Sequence, residues 1–122
     1  MGYESKIYVV KKGLISPDEN RKYWAEVISM FVCEIPGLHQ IFKKKSDLFI
    51  FSDDGETKIY KDAYGDDITE ATISEVIGFL ESKIENENSC PRIRPLLALL
   101  KSFESDGCKD LVCLHYCLHY GY

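Results

Sequence analysis

The chain predicts an α+β domain: a mostly antiparallel sheet of about four strands with three helices, in the order β-α-β-β-α-α-β. Three observations carry that expectation. A β-rich run opens the chain at Ile7-Tyr-Val-Val10, capping-box signatures precede apolar stripes at helical spacing, and the chain closes on an alternating Cys-Leu-His-Tyr repeat.

Glu4 to Lys12 reads as a first, central strand, because Ile7, Tyr8, Val9 and Val10 are β-formers without helical spacing and Gly13 ends the run. Ser16-Pro17-Asp18-Glu19 then combines an N-cap, a first-turn proline and a capping glutamate. Tyr23, Trp24, Val27, Ile28 and Phe31 follow at helical spacing, which predicts a first helix ending before Pro36-Gly37. Asp47–Ser52 and Glu56–Lys61 read as strands of a hairpin around Asp53-Asp54-Gly55. Thr72-Ile-Ser-Glu75 is a second capping box, opening a helix with Ile73, Val76, Ile77, Leu80 and Ile84 on one stripe. A third helix starts near Pro91 and runs through Ile93, Leu96, Leu97, Leu100 and Phe103, with Pro95 tolerable only in its first turn and Gly107 closing it. The tail supplies the last strand. Helices on one face leave the other solvated or free for self-association.

With 122 residues and 45% hydrophobic content, the chain is long enough for a single domain over residues 1–122 with its own core. A formal charge of −5 disfavours a reader of nucleic-acid backbone, which needs a basic surface. The five cysteines, Cys33, Cys90, Cys108, Cys113 and Cys117, are odd in number and lack small-scaffold spacing, and Met-Gly-Tyr-Glu-Ser-Lys is no signal peptide. Both point to a reducing cytoplasm. No apolar stretch approaches the roughly 20 residues of a membrane span, and Lys6 stands where a myristoylation signal wants Ser or Thr.

On a strand, Cys113, His115, Cys117 and His119 share one side, with Leu and Tyr on the other. Successive members lie about 7 Å apart. One zinc cannot collect all four, since its ligands sit about 2.0 to 2.3 Å away; two neighbours could ligate, with Cys33, Cys108 or a second chain completing the set. The alternative is an ordinary strand with small and polar residues on its open side. Tyr116, Tyr120 and Tyr122 beside His115 and His119 offer flat faces and polar tips suited to recognition; in the plainer reading Tyr116 and Tyr120 pack under the helices.

Arg92 and Arg94 stand at the start of the third helix, where amides and guanidinium forks could hold a phosphate or carboxylate; a solvated basic turn is the plainer reading. Lys61-Asp-Ala-Tyr-Gly-Asp-Asp67 predicts a tight turn presenting Tyr64, Asp66 and Asp67, the acids serving equally as turn and capping groups. Lys43, Lys44 and Lys45 read as a solvated bend. The sequence has no Gly-rich phosphate cradle, no nucleophile elbow and no His-Glu-x-x-His.

Met1-Gly-Tyr-Glu-Ser-Lys-Ile-Tyr-Val-Val10, Asp62-Ala-Tyr-Gly-Asp66 and Leu118-His-Tyr-Gly-Tyr122 together resemble a group of small uncharacterised proteins encoded by phages and prophages of Gram-positive bacteria. The likeness spans most of the chain in outline, and the duplicated Cys-Leu-His-Tyr departs from it. The resemblance implies a phage accessory protein that acts in the host by binding, including as an inhibitor of antiviral defence. It fixes no ligand.

The expectation is therefore a non-enzymatic binding protein, without cofactor, that engages a host protein or sequesters a small anionic, nucleotide-like signal. Its predicted site is Arg92, Arg94, Tyr64, His119, Tyr120 and Tyr122. No membrane is involved, and a homodimer is allowed. The alternative is a metal-binding protein or metal-dependent enzyme on Cys113, His115, Cys117 and His119.

Overall fold

The computed structural model describes residues 4–13, 16–33, 37–52, 54–63, 65–86, 93–105 and 111–119. Its strands are β1 (Glu4–Lys12), β2 (Tyr23–Cys33), β3 (Lys44–Lys45), β4 (Leu48–Phe51), β5 (Lys58–Ile59), β6 (Thr69–Thr72) and β7 (Leu111–His119). Two α-helices, α1 (Ile73–Asn86) and α2 (Ile93–Ser105), and a 3-10 turn at Leu38–Ile41 complete the described elements. The strands form one curled, half-barrel sheet in the order β3-β6-β7-β1-β2-β4-β5. All neighbours are antiparallel except β2 and β4.

This corrects the predicted sheet of about four strands with three helices: the described fold has seven strands and two α-helices. The expected first helix is β2. Its aromatic and β-branched residues favour a strand, and what imitated a helix is a β-bulge. Register with β1 runs Val9 to Ser29 and then Val10 to Val27, leaving Ile28 extra and resetting the alternation in mid-strand. The apparent cap before it builds a loop instead. The Asp18 carboxylate accepts the amides of Asn20 and Lys22, each at 2.9 Å, and reaches across the fold to Lys58 at 3.3 Å and to the Tyr60 hydroxyl.

Elsewhere local chemistry held. The Thr72 hydroxyl accepts the Glu75 amide at 3.1 Å, and Glu75 accepts the Thr72 amide at 3.0 Å, so the capping box starts α1 as expected. Pro95 lies in the first turn of α2. The predicted hairpin is β4–β5, turning on Gly55 at φ 72°. Predicted to be a bend, Lys44 and Lys45 are instead a two-residue edge strand against Glu70 and Thr69.

Alternation divides the core between the two faces of the sheet. Ile7 and Val9 of β1, Ala71 of β6 and Cys113 of β7 pack with Val76, Ile77 and Leu80 of α1 and Leu96, Leu97 and Leu100 of α2. On the opposite side Val10, Ala25 and Leu114 meet Leu48, Ile50 and Ile68, which the curl of the sheet brings over them. Both helices therefore cover one face.

Candidate functional site

The curl covers only part of the second face. Tyr8, directly between its cross-strand partners Met30 and Leu114, makes one row; Lys6, between Val32 and Tyr116, makes the next; Val10, between Val27 and Val112, makes the row on the other side. Residues two apart on one strand share a face, so these rows are contiguous. The Tyr8 and Tyr116 rings meet edge-to-face with centroids 6.4 Å apart, and the Lys6 ammonium lies 5.9 Å from the Tyr116 centroid. Along the β2 side, Val27, Met30 and Val32 are 39%, 44% and 54% exposed. The result is a strip with an apolar margin, two phenols and one cation, mounted on paired strands.

A polar clamp holds the closed end of the same side. Burial pushes the Asp18 carboxyl up, but hydrogen bonds from Tyr60, the Lys22 and Asn20 amides and Lys58 outweigh it and hold its pKa at about 2. The phenol of Tyr60 is raised, first by burial and then by its bond to Asp18. Lys22 donates to the Ser46 carbonyl at 3.0 Å, and the Ser46 hydroxyl accepts the Leu48 amide at 3.1 Å. These contacts tie the loop before β2 to β4 and β5. Their chemistry is that of satisfied structural groups.

Of the predicted ligand set, Arg92, Tyr64, Tyr120 and Tyr122 lie outside the described residues. Arg94 is exposed on α2, the element that covers the first face, whereas Tyr116 is on the second. His119 ends β7 opposite Glu4, and the register shifts there.

Cys113 and His115 do follow the helix-side alternation, opposite Val9 and Ile7. Both are buried, His115 against the Phe42 ring at 5.1 Å between centroids. Burial raises the Cys113 thiol to about 12, so the thiolate that a metal or electrophile requires is disfavoured. Among the described residues no group of three or more His, Cys, Asp or Glu side chains is placed to hold a metal.

The carboxylates of Asp62 and Asp67 in the loop 61–67 are engaged. Asp62 closes a turn by accepting the Asp66 amide at 3.1 Å, and Gly65 sits at φ 80°. Asp67 pairs with Lys61 at 2.9 Å and Lys45 at 3.4 Å. A small cleft of about 190 Å³ between Lys43, Lys44, Glu70 and Glu75 mixes charges of both signs, with Lys44 and Glu70 3.7 Å apart.

Sequence reasoning singled out Tyr116 but missed Lys6, Tyr8, Val27, Met30 and Val32 as site residues. The available signal was the uncharged, β-forming run from Val27 to Cys33. No described helix is long and apolar enough to cross a membrane. Comparison with protein-family models, with curated proteins and with solved structures found no match.

Proposed function

We propose that this protein acts by binding a partner protein, in the cytoplasm, through the helix-free strip of Lys6, Tyr8, Met30, Val32 and Tyr116. One observation carries the reading: contiguous apolar and aromatic side chains stay partly open on the sheet face that no described helix covers. Leaving apolar area in water is unfavourable, so a row exposed at 39% to 54% gains free energy when another surface covers it. Tyrosine and methionine at the centre with little charge is the composition of protein interface cores. Strand pairing holds the backbone, and few rotatable bonds per tyrosine keep the ordering cost low.

A photo-crosslinking side chain placed at Val32, and separately at exposed Ala98 on α2, tests this in the cells that express the protein. The expected result is a covalent adduct to a different protein, of defined mass, through position 32 and none through position 98. Equal labelling from both positions, or an adduct from position 98 alone, overturns the assignment.

A further inference from the structure

The outer edges of the sheet and the edge of β2 are built differently. β3, at one end, is two exposed lysines, Lys44 and Lys45, each with a side chain 78% exposed. β5, at the other end, is also two residues long and carries Lys58. Short strands and lysines are how proteins keep a sheet edge from adding another strand. β2 has neither device. It pairs with β1 from Ala25 to Cys33 but with β4 only at Tyr23 and Trp24. From Ala25 onward its outer edge has no strand partner among the described residues. The segment Val27-Ile-Ser-Met-Phe-Val-Cys33 holds no charge and no proline. The bulge kinks the edge at Val27 and Ile28 and leaves Ser29 to Cys33 regular.

We infer that β2 is the seam of a homodimer, in which the Ser29–Cys33 edges of two copies pair antiparallel about a two-fold axis at Phe31. Two features favour a second copy as the occupant, and a third favours this segment as the place where copies meet. Strand addition needs a partner edge of matching length, and β2 itself supplies one that has no strand partner among the described residues. An isologous contact makes the patch its own complement. Each copy carries a formal charge of −5, so two copies repel through charged surfaces and meet at least cost along an uncharged segment.

The midpoint of the regular segment is Phe31, which fixes the register. In an antiparallel pair, residues directly opposite share a face. Met30 of each copy then lies beside Val32 of the other, each shielding the flank of a side chain 44% or 54% exposed while its outer side stays on the shared face. The pairing joins two binding strips into one surface across the axis, a consequence that rests on the function proposed above; the dimer itself does not depend on it.

Mass measurement by light scattering and native mass spectrometry, up to high micromolar concentration because so short a seam belongs to the small-interface class, tests the inference. The expected result is a species of twice the 14.0 kDa chain. Val32→Lys and Met30→Glu each place a charge against an apolar partner and weaken the dimer roughly tenfold or more. An equimolar mixture recovers it, because the new lysine then faces the new glutamate. Circular dichroism verifies that both variants are folded. Hydrogen exchange on the unmodified protein gives an independent readout: protection of β2 amides that rises with concentration.

A wild-type chain that stays at monomer mass without such protection overturns the seam, even if it gains mass with an added extended peptide. So does a dimer indifferent to both substitutions, or folded variants whose mixture stays monomeric. A monomer that still cross-links to another protein through position 32 overturns the dimer and leaves the binding function standing. A dimer whose position 32 reaches only its own copy does the reverse.

Discussion

The two faces of the sheet bury different things to different ends. Under the helices, Ile7, Val9, Val76, Leu80, Leu100 and Cys113 are each 0% exposed, and even His115 is held at 7%. On the other face Val10, Ile50 and Leu114 are as deeply buried, but the burial stops partway along β2, where Val27, Met30 and Val32 stand open. One side is closed by dedicated elements, α1 and α2; the other is closed by the curl of its own sheet, which reaches only as far as β4 and β5 do. Residues of similar type thus hold the fold on one face and remain available on the other. Exposure, more than composition, separates the set that stabilises the fold from the set left open.

The largest effect that sharpens this contrast is Leu80→Ala. Leu80 is fully buried between α1 and the sheet, so truncation removes transfer energy and leaves a cavity, a loss of about 2 to 5 kcal/mol in chemical denaturation. A loss under about 1 kcal/mol would mean the helix-covered face is not the better packed. Next comes Gly13→Ala, at the junction of β1 and β2, where the glycine amide donates to the Trp24 carbonyl at 2.8 Å. A Cβ there would meet the Trp24 ring at 2.7 Å and its carbonyl oxygen at 3.1 Å. Overpacking of this kind costs about 1 to 3 kcal/mol, measurable as a lowered denaturation midpoint.

What was legible in the sequence was local. Thr72 and Glu75 are three residues apart and bond each other, so the start of α1 could be read directly. The turn glycines Gly55 and Gly65, both at positive φ, were equally readable. β2 was not, because its bulge placed Tyr23, Trp24, Val27, Ile28 and Phe31 at intervals that a helix also produces. Ser16-Pro17-Asp18-Glu19 reads locally as a helix start, but its Asp18 carboxylate is held by Lys58 and Tyr60, far along the chain. The strip on the open face is wholly non-local. Only the registers of β1 with β2 and β7 bring Met30, Tyr8, Lys6 and Tyr116 side by side, and no short window of sequence carries a register.

Acid stability sharpens the comparison from the open side. Asp18 has a folded pKa of about 2 against an ordinary 3.8. A depressed carboxyl stabilises the fold above its unfolded pKa, and that contribution is lost as pH falls from about 4 through about 2. Asp54, lowered to about 2 first by the Ser52 hydroxyl and then by the Glu56 and Thr57 amides, adds to the same window from the hairpin turn. Tyr60 acts at the opposite limit: its raised phenol contributes fully below its unfolded value of 10.0, and the contribution disappears as pH rises beyond it. Asp18→Asn is expected to lower thermal stability at neutral pH and to flatten the acid limb between about pH 4 and 2, with the Asp54 part remaining. An unchanged acid limb in melts recorded across that range would show that the clamp does not hold the curl closed.

The smallest stability effect is the most informative about function. Val32 is 54% exposed and borders the strip through its pairing with Lys6, so Val32→Ser removes little buried area and should shift unfolding free energy by no more than about 0.5 kcal/mol. A side chain that becomes buried only on binding behaves otherwise: its loss should weaken association by more than about 1 kcal/mol, roughly fivefold in Kd. Unfolding and association measured on the same preparation therefore separate the two roles. If Val32→Ser destabilises the fold as Leu80→Ala does, the open face belongs to the core and the contrast fails. If it leaves both quantities unchanged, the exposed valine is ordinary surface and the interaction lies elsewhere. A fold left intact with association to the partner protein weakened is the outcome that the recognition face predicts, because the valine then gains its packing from a surface that the monomer lacks.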